Sequence, residues 1–261
     1  AAKAPEPFVI LGLNLPDLEA LTYFDEIMKN PNEDFYYLQN REQAVVIGII
    51  REEVDAAPGG DIVLQDVGGG RYKVWLNTDK GEKLVKKHKK FFEEMKGDGG
   101  ADGAPQIPNN ESLSEWSRNM RALLLDPELL AKAVEWSRDH KIWDELGERC
   151  LGCGICTYVC PLCHCFSIED SVGLDENCKR CRKWDACTLP GFAKIAGGHN
   201  FRPAIKERYY NWFYHKFVRA YNEFGRSQCV GCGRCKKFCP ASIDIKEVLE
   251  TILEDYKKRD E

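Results

Sequence analysis

The sequence predicts an α+β protein in which a small N-terminal α/β domain precedes a mainly helical one. Three observations support this division. Strand-like and helix-like segments alternate over residues 8–97, a glycine-rich stretch follows at 97–105, and none of the 13 cysteines precedes Cys150. We therefore expect a scaffold or docking domain without cysteine over 1–97, a flexible linker over 98–111 and a helical domain that carries the cysteines over 112–261.

The N-terminal elements follow from hydrophobic periodicity and turn residues. Apolar residues at Leu18, Leu21 and Phe24 predict a helix that Pro16 opens, and the glycine-rich segment 66–70 predicts the turn of a hairpin. The expected order is a buried strand 8–13, a helix 16–28, a strand 43–50, hairpin strands 61–64 and 71–76, and a lysine-rich helix 82–95.

Helices frame the cysteines of the second domain. We predict helices over 112–124 and 127–146, with Asp126 as the N-cap of the second and Pro127 at its first position. The second helix leads directly into the first cysteines. Aromatic residues at helical spacing over 209–224 predict a further helix whose aromatic face packs in the core.

The composition excludes several classes of protein. Of the 261 residues, 43% are apolar and 30% are charged, as in soluble globular proteins. The formal charge of −5 argues against nucleic acid as a partner, since phosphate binding needs a positive excess. The longest aliphatic run, 44–50, is too short to span a bilayer, and residues 1–5 lack the apolar core of a signal peptide. We expect a cytoplasmic protein with no direct membrane insertion.

Eight cysteines form two runs of identical spacing. The first is Cys150-x2-Cys153-x2-Cys156-x3-Cys160-Pro161, and the second is Cys229-x2-Cys232-x2-Cys235-x3-Cys239-Pro240. In bacterial ferredoxins, three cysteines of such a run bind one [4Fe–4S] cluster and the fourth binds the other cluster. This pattern predicts two [4Fe–4S] clusters, one held by Cys150, Cys153, Cys156 and Cys239 and the other by Cys229, Cys232, Cys235 and Cys160.

Zinc and disulfides explain the two runs less well. Structural zinc sites usually take two separated Cys-x2-Cys pairs, so a third cysteine at short spacing and the repeated Cys-Pro ending have no role there. Disulfides do not persist in a reducing cytoplasm.

Five further cysteines lie between the two runs: Cys163, Cys165, Cys178, Cys181 and Cys187. They could bind a third metal centre, either another cluster or zinc, or they could be reduced thiols that pack beside the two-cluster core. The spacing does not choose between these alternatives. His164 is the one histidine considered as a ligand.

The two runs differ in charge. Arg234, Lys236 and Lys237 lie within the second run, where the first has uncharged residues. Cations beside a cluster stabilise its reduced, more negative state. Our hypothesis is that the second cluster has the higher reduction potential and faces an acidic partner surface. The alternative is that these side chains merely face water.

The segments around the two runs resemble one family. The motif from Cys160 to Cys165, the segments 182–187 and 197–203, and then the second run follow an order that resembles the iron–sulfur beta subunits of soluble sulfhydrogenases and the A subunits of anaerobic sulfite reductases. The resemblance is clear over about 145–245 and fainter before it. Family members hold an additional cluster in the N-terminal part, but here Pro16 and residues 51–54 replace its cysteines, which implies that this cluster is absent.

The resemblance implies an electron-transfer subunit that is not itself catalytic. Such subunits relay electrons between a flavoprotein subunit that binds NAD(P)H, or a ferredoxin-linked subunit, and a catalytic metalloenzyme subunit, and we favour a hydrogenase-type complex. The alternatives are the iron–sulfur subunit of a sulfite reductase, a heterodisulfide reductase or another metal-dependent oxidoreductase, and a free-standing ferredoxin-like carrier.

Overall fold

Helices and two separate β-sheets make up the described part of the protein, which confirms the predicted α+β class. The computed structural model describes residues 5–93, 113–174 and 177–259. The chain divides into two compact units, Ala1–Ser114 and Glu115–Glu261. The predicted linker, 98–111, lies outside the described residues.

The N-terminal unit contains a four-stranded sheet with helices between and after its strands. Its elements are, in order, β1 (Phe8–Leu13), α1 (Leu15–Ile27), α2 (Phe35–Gln43), β2 (Ala44–Ile50), β3 (Ile62–Gly68), β4 (Arg71–Leu76) and α3 (Asp79–Lys87), followed by a 3-10 turn at Lys89–Phe91. The strands lie in chain order. The first three are parallel, and β4 returns antiparallel to β3 through the predicted hairpin.

A buried carboxylate ties this sheet to the helix that follows it. Asp61, 3% exposed, accepts hydrogen bonds from the Val46 amide (2.7 Å) and the Thr78 hydroxyl (2.6 Å). Thr78 is in turn the N-cap of α3, so that helix begins at Asp79 rather than at residue 82 as predicted. The helix ends at Lys87, earlier than predicted, and residues 94 and 95, the last of the predicted helix, lie outside the described part of the chain.

The expectation that the first strand is buried is wrong. β1 lies at the edge of the sheet, where Val9 is 58% exposed and Leu11 66% exposed. A run of aliphatic residues is typical of a central parallel strand, and here β2, flanked by β1 and β3, takes that place.

The C-terminal unit is mainly helical and carries one exposed hairpin. Its helices are α4 (Glu115–Leu123), α5 (Pro127–Trp136), α6 (Ile142–Arg149), α7 (Ile155–Tyr158), α8 (Ile205–Phe213), α9 (Ala220–Phe224), α10 (Arg234–Lys237) and α11 (Ile245–Lys258). A π-helical segment, Tyr214–Arg219, joins α8 to α9. The hairpin pairs β5 (Phe166–Val172) with β6 (Cys178–Trp184). Within the described residues, no helix combines the length and the apolar character that crossing a bilayer requires.

The helix predicted over 127–146 is interrupted between α5 and α6. Asp126 caps α5 and Pro127 begins it, as predicted. The hydroxyl of Ser137 then donates to the Val134 carbonyl (2.8 Å), and the Nδ1 atom of His140 accepts from the Ile142 amide (3.2 Å). These local side-chain bonds compete with the backbone ladder and restart the helix in a new direction.

An aromatic core holds the helices around the two cysteine runs. Phe213, Phe217 and Trp212 are at most 1% exposed, and Leu249 and Ile252 of α11 are fully buried beside them. Cysteines of both runs pack against this cluster. The core therefore fixes the elements that carry the cysteine loops.

Candidate metal centre

The two cysteine runs fold into the same local structure. In each run a glycine with positive φ, Gly154 (75°) or Gly233 (73°), begins a single helical turn, α7 or α10, and the two turns pack together. A Cβ atom at Gly154 would lie 3.2 Å from Ala186, and one at Gly233 would lie 3.2 Å from the Trp116 ring. Both positions therefore need glycine for its backbone conformation and for its lack of a side chain.

Backbone amides are directed at cysteine sulfurs at matching positions. The amide of Gly152 donates to Cys150 Sγ at 3.4 Å, and the amide of Gly231 donates to Cys229 Sγ at 3.4 Å. Such N–H···S bonds stabilise the negative charge of a thiolate, and they are among the features that tune iron–sulfur sites.

The first of two cavities lies against the first cysteine run. Its walls are largely apolar, with Tyr209, Trp212 and Ile243 among them. The thiols that line it are those of Cys150, Cys153, Cys156, Cys235 and Cys239.

The second cavity lies against the second cysteine run. Its walls include Trp116, Leu162 and Lys216. The thiols that line it are those of Cys160, Cys229, Cys232 and Cys235. The two cavities share Trp212 and Cys235.

Each cavity is thus lined by three cysteines of one run and by the last cysteine of the other, and Cys235 lines the first cavity as well as the second. Cys239 lines the first cavity and Cys160 the second. This is the crossed arrangement that the spacing predicts for two four-iron clusters. Across residues 5–93, 113–174 and 177–259, no three Cys, His, Asp or Glu side chains converge as the ligands of a single metal ion would. The ligands of a cubane bind different irons and need no such convergence.

Two unpaired donors add to the fit between the first cavity and a cluster. Thr188 lines this cavity and Trp212 lines both, and the Thr188 hydroxyl and the Trp212 indole Nε1 are buried with no hydrogen-bond partner in the described part of the protein. A buried donor without a partner costs roughly 1–3 kcal/mol. The inorganic sulfides of a bound cluster would accept such hydrogen bonds, so the lining suits an acceptor of that kind.

Burial controls the ionisation of most of the lining thiols. It raises the pKa of Cys156 to about 12, and it also raises the pKa of Cys150, Cys229 and Cys235. Thiols bind metals as thiolates, so metal loading must release protons here. Cys160 differs, because a hydrogen bond from the Cys163 thiol, and then the nearby charge of Lys216, hold its pKa well below the usual value.

Lys216 is a residue of the site that the sequence analysis missed. Its Nζ atom donates to Cys160 Sγ at 3.2 Å and to the Gln228 carbonyl at 2.8 Å. Burial lowers the pKa of this ammonium, but the cysteines around it, Cys160 foremost, raise it more, so the pKa lies well above its ordinary value. The available signal was its spacing, because Lys216 lies four residues after Trp212 and four before Ala220, both of them apolar and buried.

The five remaining cysteines separate into two groups. Cys163 contacts Cys160, and the Cys187 thiol donates to Cys165, which lowers the pKa of Cys165 to about 7. Cys178 and Cys181 are exposed and lie three apart in β6, where residues at that spacing point to opposite faces. The third metal site stays a prediction, and the geometry favours Cys163, Cys165 and Cys187 over Cys178 and Cys181 as its members.

His164 lies beside the core rather than among the lining residues of either cavity. Its Nδ1 atom is 3.3 Å from the Leu162 carbonyl and 3.3 Å from the Gln228 amide nitrogen. Burial lowers the pKa of His164, so the ring is neutral near pH 7.

The chain is similar to known iron–sulfur proteins. Residues 149–243 match the family model of a 4Fe-4S dicluster domain. Sulfhydrogenase 2 subunit beta of Pyrococcus furiosus is 30% identical over 258 residues, an alignment that covers 95% of this chain and 74% of that protein. No solved structure matches the chain.

Proposed function

Since the chain belongs to the family of sulfhydrogenase beta subunits, we propose that it is a cytoplasmic electron-transfer subunit whose two [4Fe–4S] clusters relay electrons within an oxidoreductase complex. One cluster takes Cys150, Cys153, Cys156 and Cys239, and the other takes Cys229, Cys232, Cys235 and Cys160. The partners are a flavoprotein subunit that binds NAD(P)H, or a ferredoxin-linked subunit, and a catalytic metalloenzyme subunit of hydrogenase type.

The observation that carries this proposal is the pair of adjacent, thiol-lined cavities. Each is lined by the four cysteines of one crossed set, with Cys235 shared between the cavities, and Trp212 forms part of the wall of both. When bound, such clusters accept and release one electron each. The apolar walls would exclude water, and the loop amides would stabilise the thiolates. Two clusters so close together would pass an electron from one to the other inside the protein.

The rims of the two loops offer exposed side chains where electrons could enter and leave. Leu151, in the first loop, is 67% exposed, and Cys153 beside it is also exposed. In the second loop Phe238 is 52% exposed. Such apolar side chains at a cluster are suited to contact with a partner subunit.

Iron content tests whether the clusters are present. We expect about eight irons and about eight acid-labile sulfides per chain in anaerobically prepared protein. After reduction with dithionite, the low-temperature EPR spectrum should show two interacting [4Fe–4S] centres. About twelve irons would reveal a third cluster, whereas little or no iron in protein never exposed to air would contradict the proposal.

Serine variants test the crossed ligand sets. Cys160→Ser and Cys232→Ser should disturb the same EPR signal, while Cys239→Ser and Cys153→Ser should disturb the other. Cys178→Ser is the matched control, because Cys178 is an exposed cysteine of the hairpin, and it should retain all the iron. If Cys160→Ser instead disturbs the signal that Cys153→Ser disturbs, each run holds its own cluster and the crossed assignment is wrong.

Co-purification tests the place of the chain in a complex. A tagged chain, isolated anaerobically from its own cells, should bring with it one flavin-containing and one metal-containing subunit in fixed ratio. A chain that carries its clusters but elutes as a monomer would favour a free-standing carrier.

A further inference from the structure

Lys216 is a buried cation in an unusual part of the fold. It is 3% exposed and lies in the π-helical segment Tyr214–Arg219, in the middle of the helix that runs from α8 to α9. Segments of π-helix are rare, and they occur frequently at functional sites. A lysine is almost never buried unless a partner compensates its charge, so its surroundings call for an explanation.

The partners of Lys216 are sulfur and carbonyl atoms instead of carboxylates. Nζ donates to Cys160 Sγ (3.2 Å) and to the Gln228 carbonyl (2.8 Å), and it lies 5.6 Å from the centre of the Trp212 ring. The thiols of Cys160, Cys229, Cys232 and Cys235 line the second cavity, as Lys216 itself does.

Among the described residues that line the first cavity, none is a lysine, arginine or histidine. Arg208 is buried and its charge acts on Cys150, but its guanidinium donates to the carbonyls of Thr188 (3.0 Å), Arg202 (3.0 Å) and Pro203 (2.6 Å). Arg208 therefore holds backbone segments together, whereas Lys216 contacts a cysteine sulfur.

The lysines within the second run differ from Lys216 in that they are exposed. Lys236 is exposed and pairs with the Asp244 carboxylate at 2.7 Å, which compensates its charge. Lys237 is exposed to water, and water screens its charge. Lys216 is thus the cation that is buried against the second cavity, with a cysteine sulfur instead of a carboxylate as its partner.

We propose that Lys216 is a positioning residue for the cluster held by Cys160, Cys229, Cys232 and Cys235, and that its buried charge makes this cluster the more easily reduced of the two. The inference rests on the proposed function. One electron from a reducing partner subunit adds one negative charge to this site, and a fixed ammonium beside it stabilises the reduced form without any proton transfer. An electron shared between the two clusters would therefore reside mainly on the second cluster until it passes to the acceptor.

The test compares neutral and charged replacements in the full-length, cluster-loaded chain. In an anaerobic redox titration followed by EPR, Lys216→Met should lower the potential of one cluster alone. We expect the ratio of reduced to oxidised centres at a fixed potential to fall roughly tenfold, which corresponds to about 59 mV for one electron. Lys216→Arg, which keeps the charge, should restore most of the difference. Lys237→Met is the matched control, because Lys237 is exposed to water, and it should leave both potentials nearly unchanged.

The outcomes separate this inference from the proposed function. Wild-type chain without about eight irons would defeat the proposed function before Lys216 is tested. With eight irons present, unchanged potentials in Lys216→Met would overturn the role of Lys216 and leave the two-cluster relay intact. Should Lys216→Met fail to load iron, Lys216→Gln provides a second neutral side chain that can still donate to the Gln228 carbonyl, and the same shift is expected of it. A shift of both clusters by equal amounts would also contradict the proposal.

Discussion

The two cysteine loops depend on glycine at positions 154 and 233. Each adopts a positive φ and approaches its neighbour so closely that a Cβ atom would lie 3.2 Å from it. We predict that Gly233→Ala lowers the free energy of unfolding by about 1–2 kcal/mol from backbone strain, with more from the contact with Trp116. Denaturant unfolding of the iron-loaded chain measures this, and iron content should fall in parallel.

Gly191→Ala is the control for that prediction. Gly191 is exposed, has no positive φ and offers open space to a Cβ atom. Its replacement should change the free energy of unfolding by less than about 0.5 kcal/mol. Equal effects at both positions would show that the loop geometry does not depend on Gly233.

His215 makes stability depend on pH. Burial, followed by the charges of Arg219 and Arg202, lowers its pKa from 6.5 to about 4. In the unfolded chain the His215 ring is protonated below about pH 6.5, whereas in the folded chain it stays neutral down to about pH 4. The protein therefore loses stability as the pH falls from about 6.5 to about 4. The loss between about pH 7 and about pH 5 amounts to about 2 kcal/mol from this residue.

The measurement is the free energy of unfolding at both pH values in wild type and in His215→Gln. The variant cannot titrate in this range and should lose about 2 kcal/mol less than wild type on acidification. Parallel losses in the two proteins would mean that the His215 ring is protonated as readily in the folded state as in water.

At the scale of elements, α11 closes the core over both cysteine runs. Asp244 caps it by accepting from the Lys246 amide (2.9 Å), and the same carboxylate accepts from the indole of Trp116 in α4 (2.9 Å). One carboxylate thus joins the end of the second run to two helices. The second cavity depends on this junction, since Trp116 is one of its walls.

We predict that Leu249→Ala lowers the free energy of unfolding by about 2–5 kcal/mol, because truncating this fully buried side chain of α11 leaves a cavity in the core. Glu254→Ala, on the exposed face of the same helix, should stay within about 0.5 kcal/mol of wild type. Anaerobic denaturant unfolding compares the two. A small effect of Leu249→Ala would mean that α11 packs only loosely on the core.

The elements that the sequence predicts best are those with a strong local signal. The strand ending at Ile50 and the hairpin ending at Leu76 were predicted from aliphatic runs and a glycine turn, and both are confirmed. Helix α2 was not predicted, since it buries none of its residues and so has no apolar stripe. The hairpin of β5 and β6 was missed for the same reason, because nearly all of its side chains are exposed.

At the scale of the whole molecule, repetition in the sequence made the site accessible to prediction. Identical spacing of two runs of four cysteines predicts the crossed ligand sets, which the two cavities support. The order of the motifs from Cys160 to the second run predicts the family, which is confirmed. Thr188, Trp212 and Lys216 could not be predicted as lining residues. They are distant from the runs in sequence, and only tertiary packing brings them to the cavities.

The exchange of the last cysteine between runs has a consequence for how the protein matures. Iron that fills the first cavity would fix Cys239, at the end of the second run, and so would order the loop that lines the second cavity. The second filling would then be easier than the first. In stepwise anaerobic reconstitution, native mass spectrometry should find empty and complete chains with few that are half filled, whereas independent sites would give a large half-filled population. When iron is scarce, a cell would accordingly hold fewer working copies of this chain rather than many defective ones.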